Sequence, residues 1–153
     1  MRRLVLVMSA TLLAGCAKKE PAPEPTPPPP APVAPAPIDL SAVAGTWEMK
    51  TRAATGDSVL VTYTLVATAN TAGWIMTLPK RKPLAMTITV SGDSVMSASP
   101  QYESVLRKGV KVSTNSVFRL VGDKLMGTTM AHYTVKGPDS LVALRTEGVR
   151  APK

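Results

Sequence analysis

Residues 57–68 read DSVLVTYTLVAT, and from residue 59 onward every second position is apolar, with Val59, Val61, Tyr63, Leu65 and Ala67. Successive side chains of a β-strand point to opposite faces, so this period of two predicts a half-buried strand. The same alternation recurs in residues 86–90 and 110–112. Because β-branched residues suit a pleated surface, the chain from residue 39 onward predicts an all-β domain.

Short glycine-containing turns separate the alternating stretches. Gly56-Asp57, Gly92-Asp93 and Gly122-Asp123 are similar, and Gly137-Pro138-Asp139 is a variant. Gly permits a positive φ and Asp can bond the turning backbone, so we expect hairpin turns; the carboxylates are too sparse for calcium loops. These turns divide the domain into eight predicted strands, at 44–52, 57–68, 73–78, 84–91, 93–99, 110–121, 124–134 and 139–149.

Short connections between successive strands predict antiparallel neighbours. Eight such strands can close into an up-and-down barrel, which removes exposed edges, or fold over as a sandwich, and we favour the barrel. One irregular stretch, 99–109, begins Ser-Pro and ends at Gly109 after two basic residues. That pattern predicts a short helix that could cover one barrel mouth.

The first sixteen residues have the layout of a secretory signal peptide. Arg2 and Arg3 precede a largely apolar stretch at 4–13, which is about half the length needed to span a bilayer. Leu13-Ala14-Gly15-Cys16 resembles the lipobox of bacterial lipoproteins, and Cys16 is the only cysteine of the chain. The resemblance implies cleavage between Gly15 and Cys16 and attachment of fatty chains such as palmitate to Cys16.

Acylated Cys16 would make membrane lipid the first partner of the protein and would place it in the cell envelope. Ala17, rather than Asp, follows the cysteine. By resemblance to other lipoproteins this favours the outer membrane, facing the periplasm or the surface. Residues 16–38 then form a linker, in which ten of the seventeen residues from 21 to 37 are proline. Such a segment favours extended polyproline II, so we expect a semi-rigid spacer, with a docking site for aromatic-lined grooves as the alternative.

Charge and residue usage narrow the chemistry of the domain at 39–153. The formal net charge of the chain is +8, and an exported basic protein favours anionic surfaces rather than nucleic acid. His132 is the only histidine and the domain contains no cysteine, so neither a His-rich metal site nor a Cys–His dyad can be built there. No Gly-x-Ser-x-Gly motif marks a nucleophile. We therefore expect no enzyme activity, metal or cofactor. A Ser–His–Asp set around His132 remains the catalytic alternative.

The start of the domain resembles the lipocalin-like (calycin) barrels. Gly45-Thr46-Trp47 matches the Gly-x-Trp motif that opens the first strand of that family. The resemblance implies that Trp47 fills the closed end of an eight-stranded barrel and that an arginine of the last strand, here Arg145, packs across it. It also implies a binding function at the open end.

The leading functional hypothesis is thus a non-catalytic binding domain for a small apolar or amphipathic molecule. The candidate contact residues are Tyr63, Trp74, Tyr102, Glu103 and Arg107. Lys80-Arg81-Lys82, framed by two prolines, is either a solvated loop tip or a basic patch for an anionic surface or polymer. The alternative function is a structural or assembly lipoprotein that binds another envelope protein or the cell wall.

Overall fold

The structure is a computed structural model, in which residues 36–152 are described. The predicted signal peptide at 1–15, the lipid attachment site Cys16 and nearly all of the linker at 16–38 lie outside these residues. One helix, α1 (Leu40–Val43), precedes ten strands, which are β1 (Gly45–Ala53), β2 (Val59–Ala67), β3 (Ile75–Thr77), β4 (Leu84–Ala85), β5 (Thr87–Ser91), β6 (Ser94–Ala98), β7 (Tyr102–Glu103), β8 (Lys111–Val121), β9 (Lys124–Tyr133) and β10 (Leu141–Arg150). Within residues 36–152, no helix is long and apolar enough to cross a membrane.

All ten strands belong to one antiparallel sheet. Its order is β4-β3-β2-β1-β10-β9-β8-β6-β5, and β7 pairs with β8. The two edge strands, β4 and β5, are separated along the chain only by Met86, whose N–H donates to Trp74 O at 2.9 Å. The chain itself therefore connects the two edges, and the sheet forms a nearly closed barrel.

The barrel confirms the predicted architecture, but with ten strands instead of eight. The predicted strand at 84–91 is divided at Met86, because β4 pairs with β3 whereas β5 pairs with β6 on the other side. The other additional strand is β7, which lies inside the stretch predicted to be a helix. The positive φ values at Gly56, Gly92 and Gly122 confirm those glycines as turn residues.

The prediction of a helix at 99–109 is wrong. Tyr102 and Glu103 pair with Val112 and Lys111 of β8, so the backbone there is extended. The next turn is stabilised by Ser104, whose Oγ accepts the N–H groups of residues 106 and 107 at 3.0 Å each. Such a local side-chain bond offers the backbone an alternative to the helix.

The inner face of the barrel carries the buried side chains. On β9, Leu125, Ala131 and Tyr133 are buried, whereas Met126 and His132 are exposed on the outer wall. Sequence alone left the inward face of this strand open, because both faces carry apolar residues. On the outer wall, Glu147 forms ion pairs with Lys124 (2.8 Å) and Arg52 (3.3 Å), and chiefly the hydrogen bond from Lys124 lowers the pKa of that carboxyl.

One end of the barrel, the closed end, is filled by Trp47 and covered by α1. Trp47 is fully buried, and its Nε1 donates to Val43 O of α1 at 2.8 Å. The guanidinium of Arg150 lies 4.4 Å from the Trp47 ring centroid and donates to Ala42 O of α1 and, at 2.9 Å, to Ala44 O just after it. The cation–π contact and the bonds to the helix carbonyls together fix α1 over the ring.

The arginine that packs on Trp47 is therefore Arg150, and the expectation for Arg145 is wrong. Arg145 lies five residues earlier on β10, toward the opposite end of the barrel, and pairs with Asp57 at 3.2 Å. Register explains the difference: Trp47 is the partner of Arg150 across β1 and β10, whereas Arg145 is opposite Arg52. Gly45 also contributes at this end, since its φ of 137° is accessible to glycine and a Cβ there would meet Arg150 Nη1 at 2.8 Å.

Candidate functional site

The half of the barrel away from α1 contains a cavity of about 50 Å³. By volume it holds roughly one or two water molecules, since each takes about 30 Å³ in the liquid. Its walls are mainly apolar and include two methionines, Met76 and Met86, which adapt readily to irregular shapes. The floor is formed by Leu65 and Phe118, which separate the cavity from the tryptophan at the closed end.

A row of hydroxyl groups runs across the inner wall beside the cavity. Thr51 on β1 bonds Thr146 on β10 at 3.0 Å, Thr146 bonds Thr129 on β9 at 2.9 Å, and Thr129 bonds Ser116 on β8 at 2.8 Å. We call these four residues the hydroxyl arc. Each is at most 5 % exposed, so the hydrogen bonds between them offset the cost of burying the oxygens.

Ser97 on β6 extends the hydroxyl arc by one strand but makes no bond to it. It lies opposite Ser116 in the strand register, lines the cavity and is 3 % exposed. Among the side chains of residues 36–152, its Oγ is the buried polar atom that has no hydrogen-bond partner. A buried hydroxyl without a partner costs about 1–3 kcal/mol, so this oxygen is available to a ligand atom in the cavity.

Three tyrosines, at positions 63, 102 and 133, surround the cavity toward its open end. Burial raises the pKa of Tyr63, and a hydrogen bond with Thr51 partly opposes that shift. Burial also raises the pKa of Tyr102. The phenols of Tyr63 and Tyr102 therefore stay neutral at physiological pH. Among residues 36–152, no charged side chain lines the cavity, so an uncharged group is the one it can accept without a large desolvation cost.

The open end, which we call the mouth, is partly covered by residues 102–110. Arg81 holds one side of this segment, since its guanidinium donates to the backbone oxygens of Glu103 and Ser104. Arg107 holds the other side, because it donates to Asp139 O at 3.0 Å and lies 4.2 Å over the Tyr133 ring. Between these two clasps, Val105 and Leu106 line the cavity and remain 41 % and 44 % exposed.

The candidate contact residues separate into three groups. Tyr63 and Tyr102 line the cavity. Glu103 and Arg107 belong to the segment over the mouth, where Glu103 Oε1 accepts the N–H of Gly109 at 3.4 Å. Trp74 is not at the site: it is 1 % exposed in the core of the closed end, and its Nε1 donates to Asn70 O at 2.8 Å.

Other residues singled out in the sequence lie outside the cavity. Lys80-Arg81-Lys82 forms the loop between β3 and β4 at the mouth, with both lysines exposed. His132 is exposed on the outer wall, and its Nε2 is 3.4 Å from Asn115 Nδ2. Within residues 36–152, no three His, Cys, Asp or Glu side chains come together as a metal site would require.

Sequence reasoning missed the hydroxyl arc and Ser97. The signal was present in the strand alternation, because Ser116 falls in the same phase as Val112 and Phe118, and Ser97 in the same phase as Val95. Small hydroxyl residues at inward positions of a barrel strand indicate a polar interior band. Once the barrel was predicted, this phase could have located the band.

The chain matches no known protein-family model, no curated protein and no solved structure.

Proposed function

We propose that the protein is an exported, lipid-anchored binding protein whose barrel takes up a small apolar or amphipathic molecule through the mouth. The observation that carries the binding function is an apolar cavity with one unpartnered buried hydroxyl, that of Ser97. Ligand sites are typically apolar concavities with a few polar groups that fix orientation. A ligand hydroxyl or carbonyl that bonded Ser97 Oγ would supply the missing partner.

The cavity volume limits what enters it. A space of about 50 Å³ accepts the end of a molecule, not a long chain in full. The remainder of the ligand would lie between Val105 and Leu106, which border the cavity and the solvent. Entry of the ligand would displace this pair, and with it the segment between the Arg81 and Arg107 clasps.

Titration with 1-octanol tests the binding function, followed by NMR of methyl groups in the full-length protein. We expect shifts at Leu144, Val112 and Met86 around the cavity, and none at Val43 in the closed end. Ala131→Val should weaken binding, and Ala131→Leu should weaken it more, because Ala131 lines the cavity and a larger side chain fills more of it.

Ala143→Leu is the matched control, since Ala143 is exposed on the outer wall of β10. It should bind 1-octanol as the unaltered protein does. Uniform shifts over both ends of the barrel, or equal binding by the Ala131 variants, would contradict a site in the cavity.

Support for the anchoring comes from residues 1–16 alone, through the apolar stretch and the lipobox-like residues before Cys16. Two or three fatty chains attach a protein far more firmly than one, because each buried CH₂ contributes about 0.8 kcal/mol. Mass spectrometry of protein isolated from cell membranes should give a chain that begins at an acylated Cys16. Cys16→Ser should release it, and an unmodified thiol would contradict the anchor.

A second candidate function, binding to another envelope protein, is favoured by apolar side chains on the outer wall. Met96 and Val117 are strand partners, Met126 is on the adjacent strand, and the three are 37 %, 41 % and 41 % exposed. Cross-linking from position 117 in intact cells should then capture one stoichiometric partner, and Met126→Lys should abolish it. Capture of lipids or of no molecule would contradict this alternative.

A further inference from the structure

Most bases of the described chain that form no ion pair lie at the mouth. Seven of them surround the opening, and we call these the mouth ring: Lys80, Arg81, Lys82, Arg107, Lys108, Lys111 and Lys136. In residues 36–152, the ion pairs involve none of them, since those pairs use Arg52, Arg119, Lys124 and Arg145. Only three acids, Asp57, Glu103 and Asp139, belong to the same end, so the mouth carries a net positive charge.

Two exposed apolar side chains lie inside the mouth ring. Val105 and Leu106 are adjacent in the chain, and the bases Arg107 and Lys108 follow directly. The Ser104 hydroxyl holds the turn, and the Arg107 ring contact holds the segment after it. The turn therefore presents the two apolar side chains as an ordered tip, next to a cavity that is itself apolar.

The backbone of Lys80 adds an independent observation. Among the non-glycine residues of 36–152, Lys80 alone has a positive φ, of 59°. This conformation costs an ordinary L-residue about 1–2 kcal/mol, and glycine adopts it freely. Residues in such conformations concentrate at functional sites. The Leu78–Arg81 turn, closed by the bond from Arg81 N–H to Leu78 O at 3.1 Å, thus has an exposed lysine at a position that favours glycine.

We propose that the mouth docks on an anionic lipid surface, with Val105 and Leu106 inserted among the headgroups and the mouth ring contacting lipid phosphates. An anionic bilayer attracts cationic residues near its surface. Apolar side chains gain free energy when they insert at the boundary between headgroups and acyl chains. A soluble polyanion would neutralise the ring but would leave the apolar tip in water, so the geometry favours lipid. Docking opens the cavity directly toward the bilayer.

A fluorophore at the tip tests the proposal. The full chain carries Cys16→Ser, which removes the only cysteine and its acyl chains, together with Leu106→Cys labelled with an environment-sensitive dye. With phosphatidylcholine vesicles that contain phosphatidylglycerol, we expect the emission to shift to the blue. Pure phosphatidylcholine vesicles should give no shift, and high salt should reverse it, because surface electrostatics are screened.

The same dye at Asp123→Cys is the positional control, since Asp123 lies in the β8–β9 turn at the closed end. Its emission should remain that of a dye in water with both vesicle types, even if another part of the chain attaches to the vesicle. Lys80→Gln and Lys82→Gln should each weaken vesicle binding by about fivefold, whereas Lys124→Gln at the closed end should change it little.

Three results would overturn the proposal: no shift at position 106, an equal shift with both vesicle types, or a shift at both labelled positions. A different result would indicate a polymer surface instead. In that case soluble polyphosphate would bind tightly and prevent vesicle binding, and the emission from position 106 would stay unshifted. The outcome is separate from that for 1-octanol, because Ala131→Leu should dock normally even when its cavity is filled.

Discussion

At the residue scale, Ser97 is the position where burial and hydrogen bonding disagree. Its neighbour across the strands, Ser116, has a partner 2.8 Å away in Thr129, whereas Ser97 Oγ has none among the described residues. The hydroxyl of Ser97 therefore has opposite effects on the stability of the free protein and on the stability of its complex with a ligand. An unpaired buried hydroxyl lowers the first and can raise the second.

Ser97→Ala should stabilise the free protein by about 1 kcal/mol, because it removes an oxygen that loses water on folding and gains no bond. Ser116→Ala should destabilise it by about 1 kcal/mol, since Thr129 loses a partner. Urea unfolding of both variants measures the difference. A loss of stability in Ser97→Ala equal to that in Ser116→Ala would show that Ser97 already has a partner.

Lys80→Gly separates stability from docking at another single residue. Glycine relieves the strain of the positive φ but loses some entropy on folding, so the net gain should be about 0.5–1 kcal/mol. Binding to anionic vesicles should weaken at the same time, because the charge is removed. Thermal unfolding and vesicle sedimentation measure the two effects. A less stable variant would contradict the strain at Lys80.

At the scale of elements, alternation predicted the strands well and failed where the pattern was not periodic. β8 and β9 are long, and their predicted ranges agree with the observed ones to within one residue at each end. Residues 99–109 carry helix start and stop signals, but the partner strand β8 extends far enough to pair with Tyr102 and Glu103. Pairing with β8 decided that element, and the local sequence of residues 99–109 does not show that this pairing forms.

Gly127 shows how one residue sets the contact between two strands. It lies opposite Phe118 in the β8–β9 register, and a Cβ there would collide with the backbone oxygen of Val117 and with the Phe118 ring. We expect Gly127→Ala to lower the free energy of unfolding by about 3 kcal/mol, since the backbone oxygen cannot move without disturbing the pairing. Urea unfolding provides the measurement.

Gly148→Ala on the neighbouring strand β10 is the control for this prediction. Its Cβ would meet the sulfur of Met49, which is the far end of a flexible side chain and can move aside. The expected loss is about 1 kcal/mol. An equal effect of the two substitutions would contradict this account, because a fixed backbone oxygen of β8 should cost more to displace than the side chain of Met49.

At the scale of the whole molecule, the barrel has two ends with different chemistry on the same strands. The closed end contains Trp47, α1 and Arg150, and the mouth contains the cavity and most of the unpaired bases. Sequence could predict the barrel, because alternation and turns are local. It could not predict which arginine meets Trp47, because that contact depends on the register between β1 and β10.

Because β1, β2, β8, β9 and β10 run through both ends, a ligand at the mouth should stabilise the closed end as well. Trp47 and Trp74 are at most 1 % exposed and do not line the cavity. We therefore expect 1-octanol to leave the tryptophan emission of the native protein unchanged while it raises the urea midpoint that this emission reports. At a concentration of 100 times Kd the gain should be about 2.7 kcal/mol.

Ala131→Leu should show no such gain, since its cavity is filled, and Ala143→Leu should show the full effect. A change in native emission would mean that the ligand reaches the closed end and displaces the Leu65 and Phe118 floor. Bound 1-octanol without a higher midpoint would mean that the two ends unfold separately. Continuous strands of nine to eleven residues argue against separate unfolding, because the mouth cannot lose its pairing without releasing the strands that hold Trp47.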